Sequence, residues 1–178
     1  MSFPISLTCY QNGKEARFKR EIFEKIFLRH CTNRDEYDDD LTFMQVEYHD
    51  GGRADIVLTN LSDEALALVV PEGPVSPEKM SEISDMPPGD PAFVQNVTFD
   101  HAGGDALFDD IYKLADSTNS VISWPDVGSP VAVPNDKTLK EVPRDYPGIK
   151  SARIVRSGTD LVKVITTDTR HRHIGDQR

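Results

Sequence analysis

The sequence predicts a single α+β domain, a mainly antiparallel sheet with two main amphipathic helices packed on it, and three observations carry that prediction. Short runs of period two, such as ISLTCY, LTFMQVEY and ADIVL, are separated by glycine-containing turns. Only two long stretches, near residues 16–30 and 104–116, carry the 3.6-residue period of a helix with one apolar face. The strands therefore come in runs and do not alternate with helices as βαβ units would. At 178 residues the chain is long enough to bury one core without disulfides or metal. Residues 1–167 are assigned to that domain, and the last eleven, 168–178, to a flexible polar tail.

ISLTCY opens the chain as a strand closed by Asn12-Gly13, a pair that favours positive φ. In EARFKREIFEKIFLRH the residues Phe18, Ile22, Phe23, Ile26 and Phe27 form one apolar stripe, which is the mark of a helix lying on a core. NRDEYDDD, residues 33–40, is the densest acidic run. It lacks the glycine and the distal glutamate of an EF-hand loop, so it is expected to be a solvated loop. LTFMQVEYHDGGRADIVL is the clearest hairpin. A loop of Asp50-Gly51-Gly52 sets Tyr48 opposite Ala54, Val46 opposite Ile56 and Met44 opposite Leu58, all facing the core. The same register sets Glu47 opposite Asp55 on the outer face, a negative stripe with Arg53 and His49 paired beside it.

ALALVV, residues 65–70, has the continuous apolarity of a central strand. The proline-rich stretch at 71–91 is then an excursion from the same domain, and a loop of that length is a candidate contact surface. FVQNVTF resumes strand character. AGGDALFDDIYKLADST supplies the second helix, capped by Asp105, with Leu107, Phe108, Ile111, Tyr112, Leu114 and Ala115 turned inward. VISW and PVAV are short strands. Trp124, the only tryptophan, shares a face with Ile122, which predicts packing with its indole N–H on a carbonyl or at the surface. LKEVPRDYPG reads as turns, and SARIVRSGTDLVKVIT as a closing hairpin over Ser157-Gly158.

The charge narrows the function classes. Thirty acidic residues against twenty basic ones give a net charge of −10, which disfavours nucleic acid and anionic membrane surfaces and favours a basic partner. The N-terminus lacks the basic start and apolar run of a leader, and no run approaches the ~18 apolar residues of a membrane span, so the expected location is cytoplasmic. Cys9 and Cys31 make no disulfide framework and are read as free, buried thiols. No nucleophile elbow, Walker loop, dinucleotide fingerprint or zinc-ligand spacing occurs, so neither an enzyme nor a cofactor is expected. The one cluster that invites chemistry is FDHAGGD. There Asp100, His101 and Asp105 suggest a small metal-dependent hydrolase, with Gly103 and Gly104 offering backbone donors. Asp105, Asp109 and Asp110 would oppose an anion at that place, which favours a turn and a helix cap. A third class is a regulatory subunit of a larger assembly.

The pieces EYHDGGRADI, DALFDDIYKLADSTNSVISWPD and SPVAV, in that order, resemble small bacterial proteins that accompany polymorphic or secreted toxins as immunity proteins. The resemblance runs from about Ile5 to Val133. It implies a cytoplasmic α+β domain that neutralises a cognate toxin by covering its active site, a binding role without catalysis. A toxin with a basic cleft would be met by carboxylates standing where phosphates would sit. The expected contact residues are Asp38, Asp39 and Asp40, the Glu47 and Asp55 stripe, and the Asp63 and Glu64 turn.

Overall fold

The computed structural model describes residues 4–38, 41–60, 89–125 and 130–175, with side chains described except at 36–38 and 168–175. The ALALVV strand, the Asp63 and Glu64 turn and residues 71–88 of the proline-rich stretch lie outside the described residues. In chain order the elements begin with β1 (Ile5–Gln11), β2 (Lys14–Glu15), β3 (Phe18–Lys19) and α1 (Arg20–Phe27), which runs into a 3-10 turn at Leu28–His30. There follow β4 (Cys31–Asp38), β5 (Leu41–Glu47), β6 (Arg53–Thr59), β7 (Phe93–Val94) and β8 (Asn96–Gly103). Then come α2 (Asp105–Thr118), β9 (Ser120–Ser123), β10 (Val131–Val133), α3 (Asp136–Glu141), β11 (Arg153–Ile154) and α4 (Gly158–Gly175).

Among the described residues the main sheet has the order β11-β10-β9-β1-β8-β6-β5-β4, with β2 paired to β1, and only β10 and β11 run parallel. This is the expected α+β domain with a mainly antiparallel sheet. Alternation along each strand sends one set of side chains to a helical layer: Leu7, Met44, Ile56, Phe99 and Ile122 meet Phe23, Phe27, Leu107, Ile111, Leu114 and Leu161 in the main core. Among the described residues the opposite face is covered at one end only. There Tyr10, Val121, Val131, Val133 and Val142 form a second core, with Leu139, Tyr146 and Ile149 against it. Val121 and Ile122 are adjacent in β9 and serve different cores.

Several expectations are corrected. The first helix is shorter than 16–30, because Phe18 and Lys19 pair with Val94 and Phe93 as strands before α1 starts. NRDEYDDD is not a loop: residues through Asp38 belong to β4, which pairs antiparallel with β5 and is the last strand on that side among the described residues. The β5–β6 hairpin is shifted by two residues, with Val46 opposite Ala54, Met44 opposite Ile56 and Glu47 opposite Arg53. Its three-residue loop is His49-Asp50-Gly51, closed by Gly51 N–H to Tyr48 O at 2.9 Å and by Tyr48 N–H to Gly52 O at 2.7 Å, with Gly51 in the left-handed region.

Asp105 does not cap α2; it is the first helical residue, and Gly104 precedes it with no side-chain cap of its own. Asp50 does the capping from across the fold, accepting Gly52 N–H at 2.9 Å and Ala106 N–H at 3.1 Å. Those bonds, Ala106 first, hold the Asp50 carboxyl below its ordinary range. The hairpin tip can approach this closely because Gly52 and Gly104 meet face to face; a Cβ on Gly52 would lie 2.7 Å from Gly103 O. Finally, Ser157-Gly158 is not a hairpin turn. Ser157 Oγ accepts Asp160 N–H at 3.1 Å and Asp109 accepts Gly158 N–H at 3.1 Å, and these bonds start α4 against α2. The helix continues through Gly175 over residues expected to fray.

Candidate functional site

The half of the outer face spanned by β4, β5, β6 and β8 carries no second core among the described residues. Alternation turns Asn33 and Asp35 of β4, Phe43, Gln45 and Glu47 of β5, Asp55, Val57 and Thr59 of β6, and Asn96, Thr98 and Asp100 of β8 outward, and none of them is buried. Small polar pairs finish the face toward β1, with Asn96 Nδ2 donating to Thr8 Oγ1 at 2.8 Å and Ser6 and Thr98 hydroxyls 3.2 Å apart.

At the hairpin end this face opens into a shallow groove of about 380 Å³ bordered by Thr32, Gln45, Glu47, Arg53, Asp55 and His101. Asp55 is its centre: Gln45 Nε2 donates to Oδ1 at 2.9 Å, and His101 Nδ1 lies 3.2 Å from Oδ2. Asp100 stands directly opposite Asp55 across the β6–β8 pair. The sequence placed the like-charge pair at Glu47 and Asp55; the structure places it at Asp55 and Asp100, because the two-residue shift gives Glu47 to Arg53. The expected pairing of Arg53 with His49 is replaced in the same way.

Of the expected contact residues, Glu47 is exposed and Asp55 partly buried, both on this face. Asp38 ends β4 opposite Leu41, and its side chain is not described. Asp39, Asp40, Asp63 and Glu64 lie outside the described residues. The FDHAGGD cluster is dispersed. His101 takes a left-handed backbone at φ 56°, beside the register shift between Arg53 and Asp55, and bonds Asp55. Asp105 begins α2, and the donors at that helix start already hold the carboxylate of Asp50. Among the described residues no group of three or more His, Cys, Asp or Glu side chains is placed to hold a metal ion.

Trp124 is 3% exposed and belongs to the main core, so it is no stacking platform. Its indole N–H meets no acceptor among the described residues, where the sequence expected a carbonyl or the surface. Cys9 and Cys31 are free; burial, with Glu15 nearby, pushes the Cys9 thiol up to about 11, whereas Cys31 is only partly buried.

One constellation escaped the sequence. Asp110 is 2% exposed, and its carboxylate gathers Tyr48 Oη at 3.0 Å, Arg29 Nη2 at 3.3 Å and Lys113 Nζ at 2.7 Å, while the His30 ring stacks on Tyr48 at 3.9 Å. A signal was available: an aspartate at the 110 position lies on the same helical face as Leu107, Ile111 and Leu114.

No family model, curated protein or solved structure matches the chain. Among the described residues no helix is long and apolar enough to cross a membrane.

Proposed function

We propose that this chain is a non-catalytic binding protein whose open sheet face engages a basic protein partner, and that the partner is a cognate toxin whose active site the face covers. The observation that supports the reading is the charge pattern of the half-sheet that carries no second core among the described residues. Its outward positions hold Asp35, Glu47, Asp55 and Asp100, against Arg53 as the one lysine or arginine on those strands' outward positions among the described residues. Phe43 and Val57 give the same surface an apolar centre, the mixture of desolvated middle and charged surround that protein interfaces use. The net charge of −10 adds a long-range field that draws a cationic surface in from a distance.

The test is binding to the product of the adjacent gene, by stopped flow at two salt concentrations. The association rate constant is expected to fall by about tenfold or more between low and physiological salt, since exposed charges are screened beyond about 8 Å. Reversals at Glu47, Asp55 and Asp100 are expected to slow association while the domain stays folded. A tight complex indifferent to salt and to those reversals would move the contact to another surface, residues 71–91 included. No complex, together with metal-dependent hydrolysis, would favour the enzyme reading.

A further inference from the structure

The Asp110 cluster lies behind the groove and joins three elements that are distant in sequence. Arg29 and His30 come from the 3-10 turn after α1, Tyr48 from the hairpin tip, and Asp110 and Lys113 from α2. Arg29 is the hinge of the arrangement. Its Nη2 donates to Asp110 Oδ2 at 3.3 Å and its Nε donates to His30 Nε2 at 2.9 Å. An imidazole nitrogen that accepts a hydrogen bond carries no proton, so His30 sits here as the neutral ring with its proton on Nδ1. The same ring covers one face of Tyr48, whose hydroxyl donates to the buried carboxylate.

We propose that this cluster is a pH-sensitive latch: protonation of His30 removes Arg29's acceptor, sets a third cation against one carboxylate, and loosens the tie between the 3-10 turn, the hairpin tip and α2. The charged and titratable groups that face the ring decide the direction. Arg29 beside it, Lys113 from α2 and His49 from the hairpin loop oppose a positive charge, and so does burial, the largest influence. Asp110, with Oδ2 3.7 Å from Nε2, favours it but is already engaged by Arg29, Lys113 and Tyr48. The balance holds the imidazole below its ordinary value of 6.5. A histidine depressed in the folded state binds protons more readily when the chain unfolds, so its contribution to stability is complete above the unfolded value, about 6.5. The contribution is lost as the pH falls from there through the folded-state value. The consequence is local as well as global: Thr32 and Glu47, which border the groove, are close neighbours in sequence of His30 and Tyr48. The latch does not depend on what the sheet face binds.

Two measurements on the full chain test it. Urea midpoints of the parent and of His30→Gln, whose amide oxygen can accept from Arg29 but cannot titrate, are compared at pH 7.5 and pH 5.0. The parent's midpoint is expected to fall further than the variant's, because every other titrating group is common to both. Equal falls would overturn the latch. The second measurement needs no variant: nitrogen-detected NMR of the imidazoles should find one ring in the Nδ1–H form at neutral pH, titrating below the ordinary histidine value. A His30 ring protonated on Nε2 at neutral pH, or titrating at or above the ordinary value, would overturn it as well.

Discussion

The two halves of the outer sheet face differ more than their strands do. Toward β1, β9 and β10 the face is sealed by α3 and the segment through Ile149, with Val121, Val131, Val133 and Tyr10 buried beneath Val142 and Tyr146. Toward β4, β5, β6 and β8 the outward positions hold Thr, Asn, Gln and Asp around Phe43 and Val57. The same strand alternation produces both, so the difference lies in which residue types occupy the outward set. Three valines and a tyrosine demand a cover; threonines and carboxylates do not. A charged face that carries no second core among the described residues is the face the proposed partner would meet.

The strongest way to break this comparison is to put the same change into each half. Val133→Asp places a charge at a site with no exposure among the apolar side chains of the second core, and it should cost about 3–5 kcal/mol. Val57→Asp, on a partly exposed outward position between Phe43 and Thr98, should cost under about 1 kcal/mol. Urea denaturation of the two variants measures both. Similar losses would mean that the β4–β8 half is as covered as the other.

A second contrast concerns the inner face. Trp124 follows β9 and is packed in the main core, so Trp124→Ala should lower stability by about 3–5 kcal/mol. The apparent partner affinity should fall only as far as the folded fraction falls. Loss of affinity in a variant with parental stability would return the indole to the binding surface.

These positions also mark what the sequence could and could not disclose. The packing of Trp124 was legible because alternation sets it on the face of Ile122, and both lie in the main core. The hairpin register was not, since a shift of two residues buries the same Met44, Val46, Tyr48, Ala54, Ile56 and Leu58. What decides it is Asp50, whose carboxylate joins Gly52 N–H to the first turn of α2, a helix more than fifty residues away. β4 hid because an edge strand of Asn, Arg, Asp and Glu has no apolar period, its bonds being supplied by β5. The α4 start was partly legible: Ser157 and Asp160 have the three-residue spacing of a capping pair, and Leu161 and Ile165 the four-residue spacing of a buried stripe. Val162 and Val164 invited a strand instead. Of the candidate site, Glu47 and Asp55 were foreseen on the outer face. Asp100 as Asp55's neighbour and the gathering at Asp110 required the pairing of β6 with β8 and of the hairpin with α2.

The smallest effect gives the sharpest comparison. Asp100 faces Asp55 across neighbouring strands, and the Asp100 side chain makes no hydrogen bond or ion pair among the described residues. Asp55, by contrast, is held by Gln45 and His101. A buried core would not tolerate two such carboxylates; a solvated face tolerates them at a cost of a few tenths of a kcal/mol. Asp100→Asn keeps the size of the side chain and removes the repulsion, so at neutral pH it should leave stability unchanged or raise it by up to about 1 kcal/mol. If the open face serves a basic partner, the same variant should bind more slowly, and stability and association would then move in opposite directions. A substantial loss of stability at neutral pH would show that the Asp100 carboxylate is engaged within the chain and is not free to meet a partner.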